Sequence, residues 1–184
     1  MIFLDFEASA AMGGFPIEVG FCVIDADRRT RSAAKLIRHD EWLDDLARWD
    51  WQASQIHNID RNSIMEYGVS PRAVMTWLNK ELAGMVAVAD SPMDGLWLQE
   101  LAIAAGIAPA FGLTDDIPAV FSGPEIARAV ALSEVNPVCP KTHRADRDAQ
   151  HLAVRYLLSL ADSAPVHRLY LAGPGLLREP LLSQ

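Results

Sequence analysis

The chain has 184 residues, 51% of them hydrophobic and 22% charged, and its 16 basic against 24 acidic side chains give a formal net charge of −8. This length suffices for one domain with a full core, and the acidic balance excludes a protein that coats nucleic acid through a broad basic surface. No apolar run approaches a bilayer span and no basic segment leads an apolar one, so neither a membrane anchor nor a signal peptide is expected. Only Cys22 and Cys139 carry thiols, which gives no disulfide framework and predicts a reducing cytoplasm.

The first ten residues, Met1 to Ala10, bring an apolar run up to two carboxylates, Asp5 and Glu7. Read as a strand, they share one face, with Leu4 and Phe6 on the other. Asp-x-Glu is short and common by chance, so spacing alone favours a strand end with its carboxylates in water. Buried, the pair demands a positive partner, and a divalent cation is the simplest. After Gly13-Gly14, Pro16 to Asp25 reads as a second strand. Asp25 to Arg28 forms a hairpin turn and Arg31 to Arg38 the returning strand, whose basic residues suit a charged sheet edge. His39 to Asn58 lacks periodicity and is expected to be loop with a short helical turn. Its Trp42, Trp49 and Trp51 either stack on bases or, more in keeping with loop tryptophans, cover a satellite core.

Ser70-Pro71 opens a helix through Val74, Trp77, Leu78 and Leu82 that stops at Gly84. Met85 to Ala89 reads as a strand buried on both faces, ended by Asp90-Ser91-Pro92. A helix follows from about Met93 to Ala105, with Leu96, Leu98, Leu101 and Ile103 as its apolar positions. A weaker strand near Ala110–Thr114 and a helix from Pro124 to about Glu134 come next. Asn136 to Pro140 is a proline-rich loop, and a final helix runs from His143 or Arg144 to about Ala161, with Leu160 among its core positions. Antiparallel strands followed by strand–helix alternation predict a mixed α/β sheet flanked by helices, and ligands gather at strand carboxyl ends in such sheets.

Asp94 sits in the first turn of its helix, where an acid is also simply favoured by the helix dipole. His143 and Asp148, five apart, fall near one face at the start of the last helix. Asp-x-Glu on the first strand, an aspartate opening a mid-chain helix and His-x-x-x-x-Asp opening a late one resemble the DEDDh branch of the DnaQ-like 3′–5′ exonucleases. That family has the ribonuclease H-like fold and includes the proofreading epsilon subunit, ribonuclease T and oligoribonuclease. The resemblance covers residues 1 to about 160. Pro16 to Gly20 is similar to the family's second strand, and Ala53 to Ile59 to its segment ending in His-Gly-Ile. The chain departs from the family at Ala89-Asp90, where His-Asn is usual, at Met93, where an aromatic is usual, and at Asn58, where glycine is usual.

The resemblance implies a single exonuclease domain with a five-stranded mixed sheet. It also implies two divalent cations, Mg²⁺ or Mn²⁺, held by Asp5, Glu7, Asp94 and Asp148, with His143 as general base. The implied activity is hydrolysis of single-stranded DNA or RNA, or of short oligonucleotides, from the 3′ end. Phe6, Ala8, His57, Met93 and Arg144 are the candidate substrate contacts, and Lys141, Arg144 and Arg147 form either a phosphate-holding patch or a solvated helix start. Asp148 is preferred over Asp146, and Asp94 over Asp90, on the family spacing. Two rival readings are a non-catalytic nucleic-acid-binding module on the same fold and a ribonuclease H-like endonuclease. The apolar tail, Ala164 to Gln184, offers a surface for a homodimer of the kind found among the family's small members.

Overall fold

The computed structural model describes residues 1–121 and 135–160. The helix expected over Pro124–Glu134 and the tail with its proposed dimer surface lie outside these residues. Five strands form one sheet in the order β3-β2-β1-β4-β5: β1 (Ile2–Ala8), β2 (Pro16–Ile24), β3 (Thr30–Leu36), β4 (Val86–Val88) and β5 (Gly112–Thr114). β1 pairs with β2, and β2 with β3, antiparallel, whereas β1–β4 and β4–β5 are parallel. The mixed five-stranded sheet is the one expected. The β2–β3 turn is fixed by the Asp25 carboxylate, which accepts from the Asp27 and Arg29 N–H groups at 2.9 Å each, with Arg28 at φ 61°. On edge strand β3, Arg31 pairs with Glu81 at 3.0 Å and Lys35 lies over the Trp77 ring.

The alternation along β1 and β2 separates two cores. Leu4, Phe6, Val19 and Phe21 face helices α4 (Pro71–Leu82) and α5 (Pro92–Ala105), meeting Val74, Leu78 and Leu101. Phe3, Cys22 and Val88 face the last helix, α7 (Ala145–Leu160), at Ala149, Leu152 and Ala153. By period two, Asp5 and Glu7 lie on the α7 side. Helix α7 begins directly on β2. A Cβ added to Gly20 would stand 2.2 Å from the Asp146 backbone nitrogen, and Gly20 is the strand partner of Asp5. The missing side chain therefore lets the start of α7 come down beside Asp5.

Between β3 and α4 the structure departs from the expected loop. It contains α1 (Asp40–Asp44), a 3₁₀ turn (Leu46–Arg48), α2 (Trp51–His57) and α3 (Arg61–Tyr67). These elements are too short to show a 3.6-residue period, and the starts of α2 and α3 are set by caps instead: Asp50 accepts from the Gln52 N–H and Asp60 from the Ser63 N–H. They carry a satellite core in which Phe15, Ile17, Leu43, Ile59 and Ile64 pack with Trp42 and Trp49. The Trp49 indole donates to Ser54 at 2.9 Å, whereas Trp51 is exposed.

Three further expectations are corrected. The strand read over Met85–Ala89 covers only Val86–Val88, and it is not buried along its whole length: Met85 and Val86 are exposed. In α5 the core positions are Leu98, Leu101 and Ala105; Leu96 and Ile103 face outward, as does Leu160 in α7. Residues 135–138 are helical rather than loop, and Cys139 N–H donates to the Val135 carbonyl at 2.7 Å. Helix α6 (Ile117–Val120) completes the described elements. No helix among the described residues is long and apolar enough to cross a membrane.

Candidate active site

Strand β1 delivers Asp5 and Glu7 to the end of the sheet, both buried. Ser91 caps α5 by accepting from the Met93 N–H at 3.1 Å, which places Asp94 in the first turn, 1% exposed. Its Oδ1 accepts the Phe6 backbone N–H at 3.2 Å, tying α5 to β1. Its Oδ2 is buried and has no hydrogen-bond partner among the described residues. Asp148, buried in the first turn of α7, accepts the N–H groups of Thr142 at 2.9 Å and His143 at 3.2 Å through Oδ1. These bonds hold the preceding loop in a tight arc with His143 at φ 55°. The imidazole Nδ1 then lies 4.0 Å from Asp148 Oδ2, with the ring 51% exposed.

The carboxylates converge in two groups. Glu7, His143 and Asp148 each offer a ligand atom within 4.8 Å of the others, and so do Asp5, Asp90 and Asp94. Their electrostatics record the crowding. Burial, reinforced by the charges of Asp94, Glu7, Asp148 and Asp90, holds the Asp5 carboxyl well above the usual carboxylate range. Burial, then Asp148 and Glu18, pushes Glu7 up to about 8, with Arg144 opposing. Asp94 rises to about 7, again through burial and then Asp90, against the hydrogen bond from Phe6. Buried acids crowded in this way are expensive without a cation. An unpartnered buried Oδ2 and an oxygen-rich donor set fit Mg²⁺ or Mn²⁺. Asp146 is also buried, but it belongs to neither group.

The structure sorts the expected substrate contacts. The Phe6 ring is core, packed on Trp97 at a centroid distance of 6.5 Å; only its backbone reaches the site, because residue six points to the opposite face from Asp5. Ala8 is buried where the β1–β2 register shifts. His57 is buried beside it: Nδ1 accepts from the Ile59 N–H at 3.0 Å, and Nε2 lacks a partner among the described residues. Burial lowers the His57 pKa, with the Ala8 backbone opposing. Met93 is half-buried at the start of α5.

The expected basic patch is largely committed to other partners. Arg144 forms two hydrogen bonds with Glu18, one of them at 3.0 Å through Nε. Lys141 pairs with Asp90 at 2.6 Å, and Arg147 donates to Gln150 at 3.1 Å. Glu18 has a role that its sequence context does not reveal. It is 1% exposed and also accepts the Ala145 N–H at 2.9 Å, so it pins the first residue of α7 as well as Arg144. Within the Pro16–Gly20 strand it reads as one acid in an apolar run, and only the 126-residue contact reveals its task. A groove of about 400 Å³ leaves this corner, lined by Lys35, Tyr67, Arg144, Asp146 and Arg147 among others.

No family model and no curated protein matches the sequence. Solved structures do. An exonuclease I structure superposes with a TM-score of 0.64 at 12% identity over 85% of this chain and 40% of its own. The zinc-bound complex of E. coli exonuclease I with single-stranded DNA gives 0.59 at 13%, over 86% and 39%. Exonuclease I from Methylocaldum szegediense gives 0.60 at 11%, over 88% and 41%. The chain thus spans about two fifths of the length of these proteins, and with them it shares the ribonuclease H-like fold.

Proposed function

We propose that the protein is a divalent-metal-dependent 3′–5′ exonuclease acting on single-stranded DNA or RNA. The observation that carries this reading is the convergence of four buried carboxylates and His143 in two adjacent groups at one strand end. The single-stranded DNA in the exonuclease I complex makes that polymer the first substrate to test. Asp5 and Asp94 on one side and Glu7 and Asp148 on the other would hold the cations. When bound, these supply charge stabilisation to the phosphodiester and acidify water.

The remaining work falls to the chain's own groups. With Nδ1 on the Asp148 side, the half-exposed His143 imidazole leaves Nε2 to take the proton of the attacking water. The water oxygen bonds to phosphorus, the bond to the 3′ oxygen breaks, and a nucleoside 5′-monophosphate leaves. Asp148 keeps the His143 loop in place through two backbone N–H groups, and Glu18 fixes the helix from which both project.

The test incubates 5′-labelled single-stranded DNA and RNA with Mg²⁺ or Mn²⁺ beside an Asp5→Ala control. Stepwise shortening from the 3′ end that needs the metal and is lost in the control is expected. No metal-dependent shortening on either polymer, shortening equal in the control, or internal fragments alone would sink the proposal.

A further inference from the structure

Assigning Asp5 and Asp94 to one cation leaves Asp90 unexplained. It brings a third carboxylate within 4.8 Å of theirs, although it stands on the β4–α5 turn, where a lone aspartate could point to solvent. Unlike Asp94, whose Oδ2 has no partner among the described residues, Asp90 already holds a cation, the Lys141 ammonium at 2.6 Å. Lys141 comes from the loop before α7, 51 residues away, so the ion pair spans the mouth between the two halves of the site.

We propose, on the basis of the metal-dependent reading above, that Asp90 is a third ligand of the cation held by Asp5 and Asp94. Lys141 is its internal competitor, an ammonium that a divalent ion displaces from Asp90. Three physical points carry this. The ammonium and a divalent ion seek the same oxygen, and at such separations their mutual repulsion is strong inside a partly desolvated site. Lys141 is able to leave: its side chain is 38% exposed, and a flexible four-carbon stem lets the charge swing to water. Asp90, with a side chain 24% exposed, stays close to its two neighbours. The pair therefore keeps the crowded acids tolerable without a divalent ion and sets how tightly one is held.

The test measures Mn²⁺ binding by titration calorimetry on the full chain, for wild type, Asp90→Asn, Lys141→Met and the double variant. Melting in chelator checks that each is folded, and Asp90→Ser guards against a defect peculiar to asparagine. Asp90→Asn is expected to weaken binding about tenfold, and Lys141→Met to tighten it about threefold to tenfold. In the Asp90→Asn background the lysine substitution is expected to change little, because the competition acts through Asp90. Unchanged binding in Asp90→Asn, or unchanged or weaker binding in Lys141→Met, would overturn the proposal. So would equal tightening in both backgrounds, since that is general repulsion. A wild-type protein that binds no Mn²⁺ refutes the metal-dependent reading itself, a result distinct from all of these.

Discussion

Glu7 offers the sharpest check on the electrostatics, through Glu7→Gln in the presence of chelator. Its carboxyl moves from an ordinary 4.5 to about 8 in the fold, chiefly through burial. At 1.36 kcal/mol per pKa unit this corresponds to roughly 5 kcal/mol. The sign follows from proton uptake. Between these two values the unfolded chain has released the proton while the folded chain retains it, so stability falls as pH rises, from near 4.5 until about 8. Below 4.5 both states are protonated and there is no penalty; above about 8 it is complete. Because the neighbouring acids titrate together, the share removed by one substitution is smaller, and a gain on the order of 2–4 kcal/mol at pH 8 is expected. Urea denaturation in EDTA at pH 5 and pH 8 measures it: the variant should be near or below wild type at pH 5 and clearly above it at pH 8. A stability difference that is the same at both pH values would refute the reasoning. Adding Mn²⁺ at pH 8 should restore wild type more than the variant, since only wild type keeps the charge that the ion needs.

Other substitutions test the scaffold. Gly20→Ala puts a methyl into the Asp146 backbone at 2.2 Å; a loss of about 2 kcal/mol or more in denaturation, with weaker cation binding, is expected. Glu18→Gln leaves Arg144 without its charge partner and weakens the grip on Ala145, costing about 1–3 kcal/mol and lowering activity; a thermal scan and the shortening assay read both. His143→Ala should lower the shortening rate by about 10²- to 10⁴-fold while the melting temperature in chelator stays close to wild type, because the ring is half exposed. A variant of full activity would remove His143 from the reaction.

Much of the sheet is legible in the sequence because β1 and β2 alternate cleanly and the helix α4 announces itself with Ser70-Pro71. The juxtaposition of Asp5, Glu7, Asp94, His143 and Asp148 was legible only through the joint order of three short motifs, none specific by itself. What stayed hidden shares a cause. Helices α2 and α3 have seven residues each, too few for a period to emerge, and their cap residues, Asp50 and Asp60, are lost among many acids. Glu18 and Asp90 looked like a strand acid and a turn acid, and their partners, Arg144 and Lys141, lie 126 and 51 residues away. Phe6 shows the opposite: parity puts its ring on the core face, where it lies, although the family resemblance makes it a candidate substrate contact.

The glycine beneath α7 also bears on when the site comes into being. Asp5, Glu7 and Glu18 stand far earlier in the chain than Asp148 and His143, which reach them only when the start of α7 seats on Gly20. Closing a loop of this length is entropically slow relative to local pairing. A growing chain that has formed only the β1–β2–β3 meander holds its first acids without the half that completes them. Assembly of the centre is therefore tied to docking of α7, and the geometry that brings Glu7, His143 and Asp148 together is complete only once that helix is seated.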